Sequence, residues 1–132
     1  MKSFEIPLAG YQMTISSTEW VTEIHLKNAE SEQYIVQIEA QITFKAKTGQ
    51  SVELQPGQNA AGSADMTESV AEGATSMTAY ESGSLGIQFT NKASMSILPS
   101  EDFEAWNLTG PDRLKIVSLP GGGLGKWGIE DA

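Results

Sequence analysis

Apolar and polar residues alternate along most of this chain, in short runs separated by turn-forming residues. Met13 and Ile15 share one side of the first stretch. In the next, Thr22, Ile24 and Leu26 share a face, with Glu23 and His25 on the other. Tyr34, Val36 and Ile38 follow, then Ile42 and Phe44. Thr48-Gly49-Gln50 reads as a turn, Val52 and Leu54 as a last short strand, and Pro56-Gly57 closes the half. The same order then recurs. Met77 and Ala79 stand where Met13 and Ile15 stood, and Leu85, Ile87 and Phe89 answer Thr22, Ile24 and Leu26. Met95 and Ile97 answer Val36 and Ile38, Trp106 and Leu108 answer Ile42 and Phe44, and Leu114 and Ile116 answer Val52 and Leu54. The pattern predicts a mainly β domain of two pseudo-repeated antiparallel meanders of five strands each. Chance spacing of strands in an antiparallel domain accounts for the pattern equally well.

The predicted boundaries are 1–58 for the first meander, 59–74 for a linker or short helix, and 75–132 for the second. If the middle segment is helical the class is α+β. Asp65 is placed to cap such a helix, Glu68 to complete a capping box and Gly73 to close it, with Met66 and Val70 on one face. So short a helix is marginal without tertiary support. The preceding QNAAGSA reads equally as a surface loop.

The C-terminal stretch is strand, turn, strand and a glycine-rich closing turn. Glu104, Trp106 and Leu108 share one side of the first of these strands. Gly110-Pro111-Asp112 supplies turn chemistry, and LKIVSL (Leu114 to Leu119) is an apolar run of strand length. Pro120 ends that run, and Gly121 and Gly122 allow a tight reversal after which Leu124 and Trp127 can fold back onto the sheet. Trp106 and Trp127 are therefore expected to fix this hairpin against the core.

The segments EAW (Glu104 to Trp106), TGP (Thr109 to Pro111) and IVSLPGG (Ile116 to Gly122), with Trp127 near the end, resemble a family of small bacterial proteins of unknown function. PLAG (Pro7 to Gly10) and SGSLGIQF (Ser82 to Phe89) extend the likeness over most of the chain. The resemblance implies a leucine-rich central helix, where this chain has the small, polar GQNAAGSADMTESVAEG. It implies no activity, no cofactor and no catalytic residue.

Composition narrows the function classes. At 132 residues the chain makes one domain. No window is apolar enough for a membrane-spanning helix, and Glu5 and Pro7 break the N-terminus as a signal peptide. Absence of cysteine removes disulfide and thiolate chemistry and fits a cytoplasmic setting. The net charge is −9, with both halves acidic. That charge opposes binding to nucleic acid and anionic membranes, and favours basic partners or serves solubility alone.

Catalytic patterns are missing. His25 is the one histidine and sits on a strand face, so no Ser–His or zinc set of ordinary composition forms around it. The run GGGLGKWG fails as a phosphate loop, because Pro120 precedes it and Trp127 follows Lys126. Two acidic groups are candidates for partner binding: Asp65, Glu68 and Glu72 in the middle, and Glu101, Asp102 and Glu104 before Trp106. As paired carboxylates Glu101, Asp102 and Glu104 would serve acid–base chemistry only if their environments split their pKa values, and a solvated acidic rim at a strand entrance is the default. The expectation is a non-enzymatic binding protein, an immunity protein that blocks a basic bacterial toxin. A small-ligand binder with a pocket between two sheets is the alternative.

Overall fold

The computed structural model describes residues 3–18, 20–55 and 64–128. The Pro56-Gly57 turn and most of the GQNAAGSA stretch lie outside the described residues. Among the described residues twelve strands form two antiparallel sheets of six. In chain order they are β1 (Ser3–Pro7), β2 (Gln12–Ser17), β3 (Thr22–Lys27), β4 (Gln33–Ile38), β5 (Ile42–Lys45), β6 (Ser51–Leu54), β7 (Ala74–Tyr80), β8 (Leu85–Phe89), β9 (Ser94–Ile97), β10 (Trp106–Thr109), β11 (Lys115–Ser118) and β12 (Leu124–Trp127). A helix, α1 (Ala64–Glu72), precedes β7. Sheet A runs β1-β7-β8-β9-β5-β6 and sheet B runs β12-β11-β10-β4-β3-β2.

The repeat is real, and its halves interlock. β2-β3-β4 form a meander in sheet B and β7-β8-β9 its counterpart in sheet A. After its third strand each half leaves its own sheet: β5 pairs with β9, and β10 pairs with β4. The five strands of a half are therefore shared between both sheets. Register confirms most of the predicted matches. Ile38 lies opposite Thr22 and Trp106, as Ile97 lies opposite Leu85 and Ile42. Two matches shift by two residues, which preserves the face. Met77 answers Ile15 rather than Met13, since each pairs with the central Ile of the next strand. Ile116 answers Val52 rather than Leu54, opposite Leu108 and Phe44.

Alternation sets the core, because every second side chain of a strand faces the other sheet. Ile24, Leu26, Val36 and Ile38 from sheet B meet Phe44, Ile87, Met95 and Ile97 from sheet A in one buried cluster with Trp106. α1 adds Met66, which is fully buried. The helix begins at Ala64, so Asp65 lies within its first turn and is not its cap. A carboxylate there still faces the positive end of the helix dipole. Gly73 closes the helix at φ +99, with its N–H on the Ser69 carbonyl.

One contact ties the sheets together. The turn between β7 and β8 presents the buried Gly83 carbonyl, which accepts Trp106 Nε1–H at 3.0 Å and Ser118 Oγ–H at 2.8 Å. Gly83 has φ +100, and a Cβ on it would stand 3.1 Å from the Gly123 backbone and from Pro99. The glycine-rich turn docks alongside: Gly123 N–H donates to Ser82 and Gly121 N–H to Ser100. Trp106 thus meets the expectation of a core anchor. Trp127 lies on the opposite face of its hairpin, 55% exposed, with its ring against Gly125 and beneath the Lys115 ammonium. It is Leu124 that packs on the core.

At the β10–β11 turn the constraint is steric. A Cβ on Gly110 would lie 2.6 Å from the Tyr34 ring, which also packs on Tyr11. Burial, and then Tyr11, raise the Tyr34 phenol above its usual pKa. Gly110→Ala is expected to lose about 1–3 kcal/mol in urea unfolding through overpacking. The same change in a Tyr34→Leu background should cost much less; an equal cost in both would refute the ring contact.

Candidate protein-binding surface

The strand ends around Gly83 carry a distinctive surface. The connection from β9 to β10 spans residues 98–105. It is pinned at Ser100 by Gly121 N–H and at Ala105, whose carbonyl accepts Glu39 N–H at 2.9 Å. Ser100 Oγ accepts Asp102 N–H, tightening the bend. Leu98, just before the first anchor, is 68% exposed and Phe103, between the two, 45%, and Glu101, Asp102 and Glu104 all face solvent. Glu104 is part of this loop and not of β10, so it does not share a strand face with Trp106. Glu39 also stands at this end, exposed.

Basic residues gather at one end of the strands, where Glu30, Glu32 and Asp112 also lie. Lys45, Lys47 and Lys92 lie at the opposite strand ends of sheet A, and Lys27, Arg113 and Lys115 at the opposite ends of sheet B. Lys126 reaches Glu81 at 3.1 Å and is neutralised there. Among the described residues no ion pair involves Glu101, Asp102 or Glu104. The other acidic group does not join them. Asp65, Glu68 and Glu72 are exposed on α1, beside the start of β7, while the 98–105 loop adjoins the turn after β7 ends. Glu68 is held by Lys47 at 2.9 Å, and Glu72 accepts from the Asn91 amide. The two groups are thus at opposite ends of sheet A, about 20 Å apart along a seven-residue strand.

His25 lies on the outer face of sheet B. Its Nε2 is 2.8 Å from Glu23 Oε1, Gln33 approaches Nδ1, and Gln37 donates to Glu23 Oε2. Hydrogen bonds from Gln37 and then His25 hold the Glu23 carboxyl below its ordinary pKa. Among the described residues its hydrogen-bond partners are Glu23 and Gln33. Among the described residues no group of three or more His, Asp and Glu could hold a metal ion, and no helix is long and apolar enough to cross a membrane.

Residues 7–128 match the model of a family of unknown function, DUF6188. The chain belongs to that family. No curated protein and no solved structure matches. Membership in DUF6188 assigns no chemistry, and the prominent C-terminal residues have structural tasks here. Trp106 and Ser118 hold Gly83, Pro120 ends the strand register, and Gly121 and Gly122 lie against Ser100 and Ser82. What the sequence did not single out is the exposed pair Leu98 and Phe103. The clue was an apolar residue on each side of Pro99-Ser100-Glu101-Asp102, in a segment too polar for a strand.

Because Glu23 titrates lower in the folded protein, its contribution is complete above the ordinary carboxylate range and fades as pH falls through its folded value. Glu23→Gln should cost about 0.5 kcal/mol near neutral pH, a partly exposed and solvent-screened contribution. The gap should narrow as pH falls below the ordinary carboxylate range in urea titrations. A gap independent of pH would contradict the assignment.

Proposed function

We propose that this chain is a non-enzymatic binding protein that holds a basic protein partner on the 98–105 loop, in the manner of an immunity protein that blocks the active site of a bacterial toxin domain. The observation that carries the reading is Leu98 and Phe103 held outward on a doubly pinned loop among Glu101, Asp102 and Glu104. Exposed apolar anchors beside uncompensated charge are what a docking surface needs. The carboxylates would meet a basic cleft as a substrate's phosphates do, and would mainly speed association. The pinned backbone lowers the cost of ordering on binding. The acidic α1 fits this role less well, since Glu68 is already paired. A small ligand held between the sheets finds less support, because the core side chains of both sheets meet in that space.

The test is co-expression with the product of the adjacent gene, followed by pull-down, salt-dependent kinetics and growth rescue. Glu101→Lys with Asp102→Lys and Glu104→Lys should slow association by more than about tenfold at low salt. Phe103→Ser should raise Kd by about 30-fold, the scale of an interface hot spot. Unchanged stability of both variants is expected, as these side chains are exposed. No complex and no rescue, or turnover by this protein alone, would overturn the reading.

A further inference from the structure

We propose that the edge of β2 at Met13 and Ile15 is a docking site for an extended segment of a basic partner, which adds to sheet B as one more antiparallel strand. This surface is separate from the 98–105 loop, and the proposal does not rest on the function assigned to that loop. Among the described residues four strands form the sheet edges: β1, β6, β12 and β2. Exposed edges invite pairing with other chains and are normally blocked by charge, proline or brevity. β1 carries Glu5 and Pro7, β6 is four residues with Glu53, and β12 is four residues with Gly125 and Lys126. β2 is six residues, QMTISS, with none of these devices.

The backbone of β2 is poised for a ladder. Thr18 N–H bonds Val21, which sets the phase of the β2–β3 hairpin. Alternate residues then bond in alternate directions, so the N–H and C=O groups of Met13 and Ile15 point away from β3. The other half of the molecule shows what such an edge accepts. β7 is the counterpart of β2, and its Met77 and Ala79 lie opposite Ile6 and Phe4 of β1. Leu8 N–H continues that pairing to Thr75. Phe4, Ile6 and Leu8 turn their side chains to the core.

Beside β2 the place of β1 is taken by α1, which precedes β7 as β1 precedes β2. A helix bonds its own backbone and leaves a neighbouring strand edge unsatisfied. Between α1 and β2 lie two adjoining hollows of about 460 and 370 Å³, and Met13, Ile15, Met66 and Val70 line the more apolar one. An extended segment with apolar residues at alternate positions would bond Met13 and Ile15 and lay those side chains in the hollow, as β1 does at β7. A second copy of this chain fits poorly. It carries −9, and it would bring two acidic helices together. Lysine or arginine at the intervening positions suits a segment lying beside Glu72, which lines the larger hollow with Gln12 and Thr14.

The probe is the peptide Lys-Phe-Lys-Ile-Lys-Leu-Lys, with blocked ends, which repeats the apolar spacing of β1. Amide exchange of the intact protein is followed residue by residue. Saturating peptide should slow exchange at Met13 and Ile15 at least tenfold (about the effect of a closed ladder bond) and leave Phe4 and Ile6 unchanged. N-methylation at the peptide's isoleucine, which removes one donor without altering the protein, should weaken binding about three- to tenfold. Lysine-to-glutamate replacement in the peptide should weaken it further. Three results would overturn the proposal: Met13 and Ile15 exchanging as slowly as Ile24 in the free protein, their protection rising with protein concentration alone, or no slowing at millimolar peptide. Charge reversal at Glu101, Asp102 and Glu104 should leave peptide binding intact, so the two sites fail separately.

Discussion

The carbonyl of Gly83 is the point on which the two sheets are fastened. It is buried, and a buried carbonyl without a partner costs about 1–3 kcal/mol. Sheet B supplies two donors, from Trp106 on β10 and Ser118 on β11. Both must lie on the inward face, which fixes the register of that hairpin. The φ of +100 and the close approach of Gly123 and Pro99 require glycine at this position. With the β7–β8 turn so held, its neighbours follow. Gly121 and Gly123 bond to Ser100 and Ser82, and the 98–105 loop is carried out to solvent as a shaped unit. Its exposed Leu98, Phe103 and three acids are thus tied to the core through two or three hydrogen bonds.

Much of this architecture is legible in the chain, for a simple reason. A period of two assigns each strand residue to a face, and the faces of β3, β4, β8 and β9 are as alternation predicts. The parity is so strong that matches made two residues out of register, as with Met77 and Ile116, still fall on the correct side. Partner choice is not written in alternation. β5 follows β4 after only three residues yet pairs with β9, so the exchange between halves becomes visible only in the ladders. Parity would have exposed the misplacement of Trp127. Leu124 and Trp127 are three apart and cannot both face the core from one strand.

The candidate site was less legible. Two acidic segments look equivalent in sequence, but the topology puts α1 near lysines and the 98–105 loop at the opposite end of sheet A. Solvent exposure of Leu98 and Phe103 depends on the anchors at Ser100 and Ala105, which are backbone bonds that no side-chain pattern announces. The internal repeat is the more informative guide to β2. It shows one edge completed by a strand and its counterpart flanked by a helix, from a pattern already present in the two halves.

A double-mutant cycle at the Gly83 carbonyl tests the central claim most directly. Trp106→Phe and Ser118→Ala each remove one donor while keeping an apolar or small side chain, and urea unfolding gives the stability of the parent, both single variants and the double variant. Loss of either donor leaves the carbonyl one bond; loss of both leaves it bare in the core. The account predicts that the double variant is less stable than the sum of the single effects by about 1 kcal/mol. Strict additivity, or a double variant no worse than the poorer single one, would contradict it.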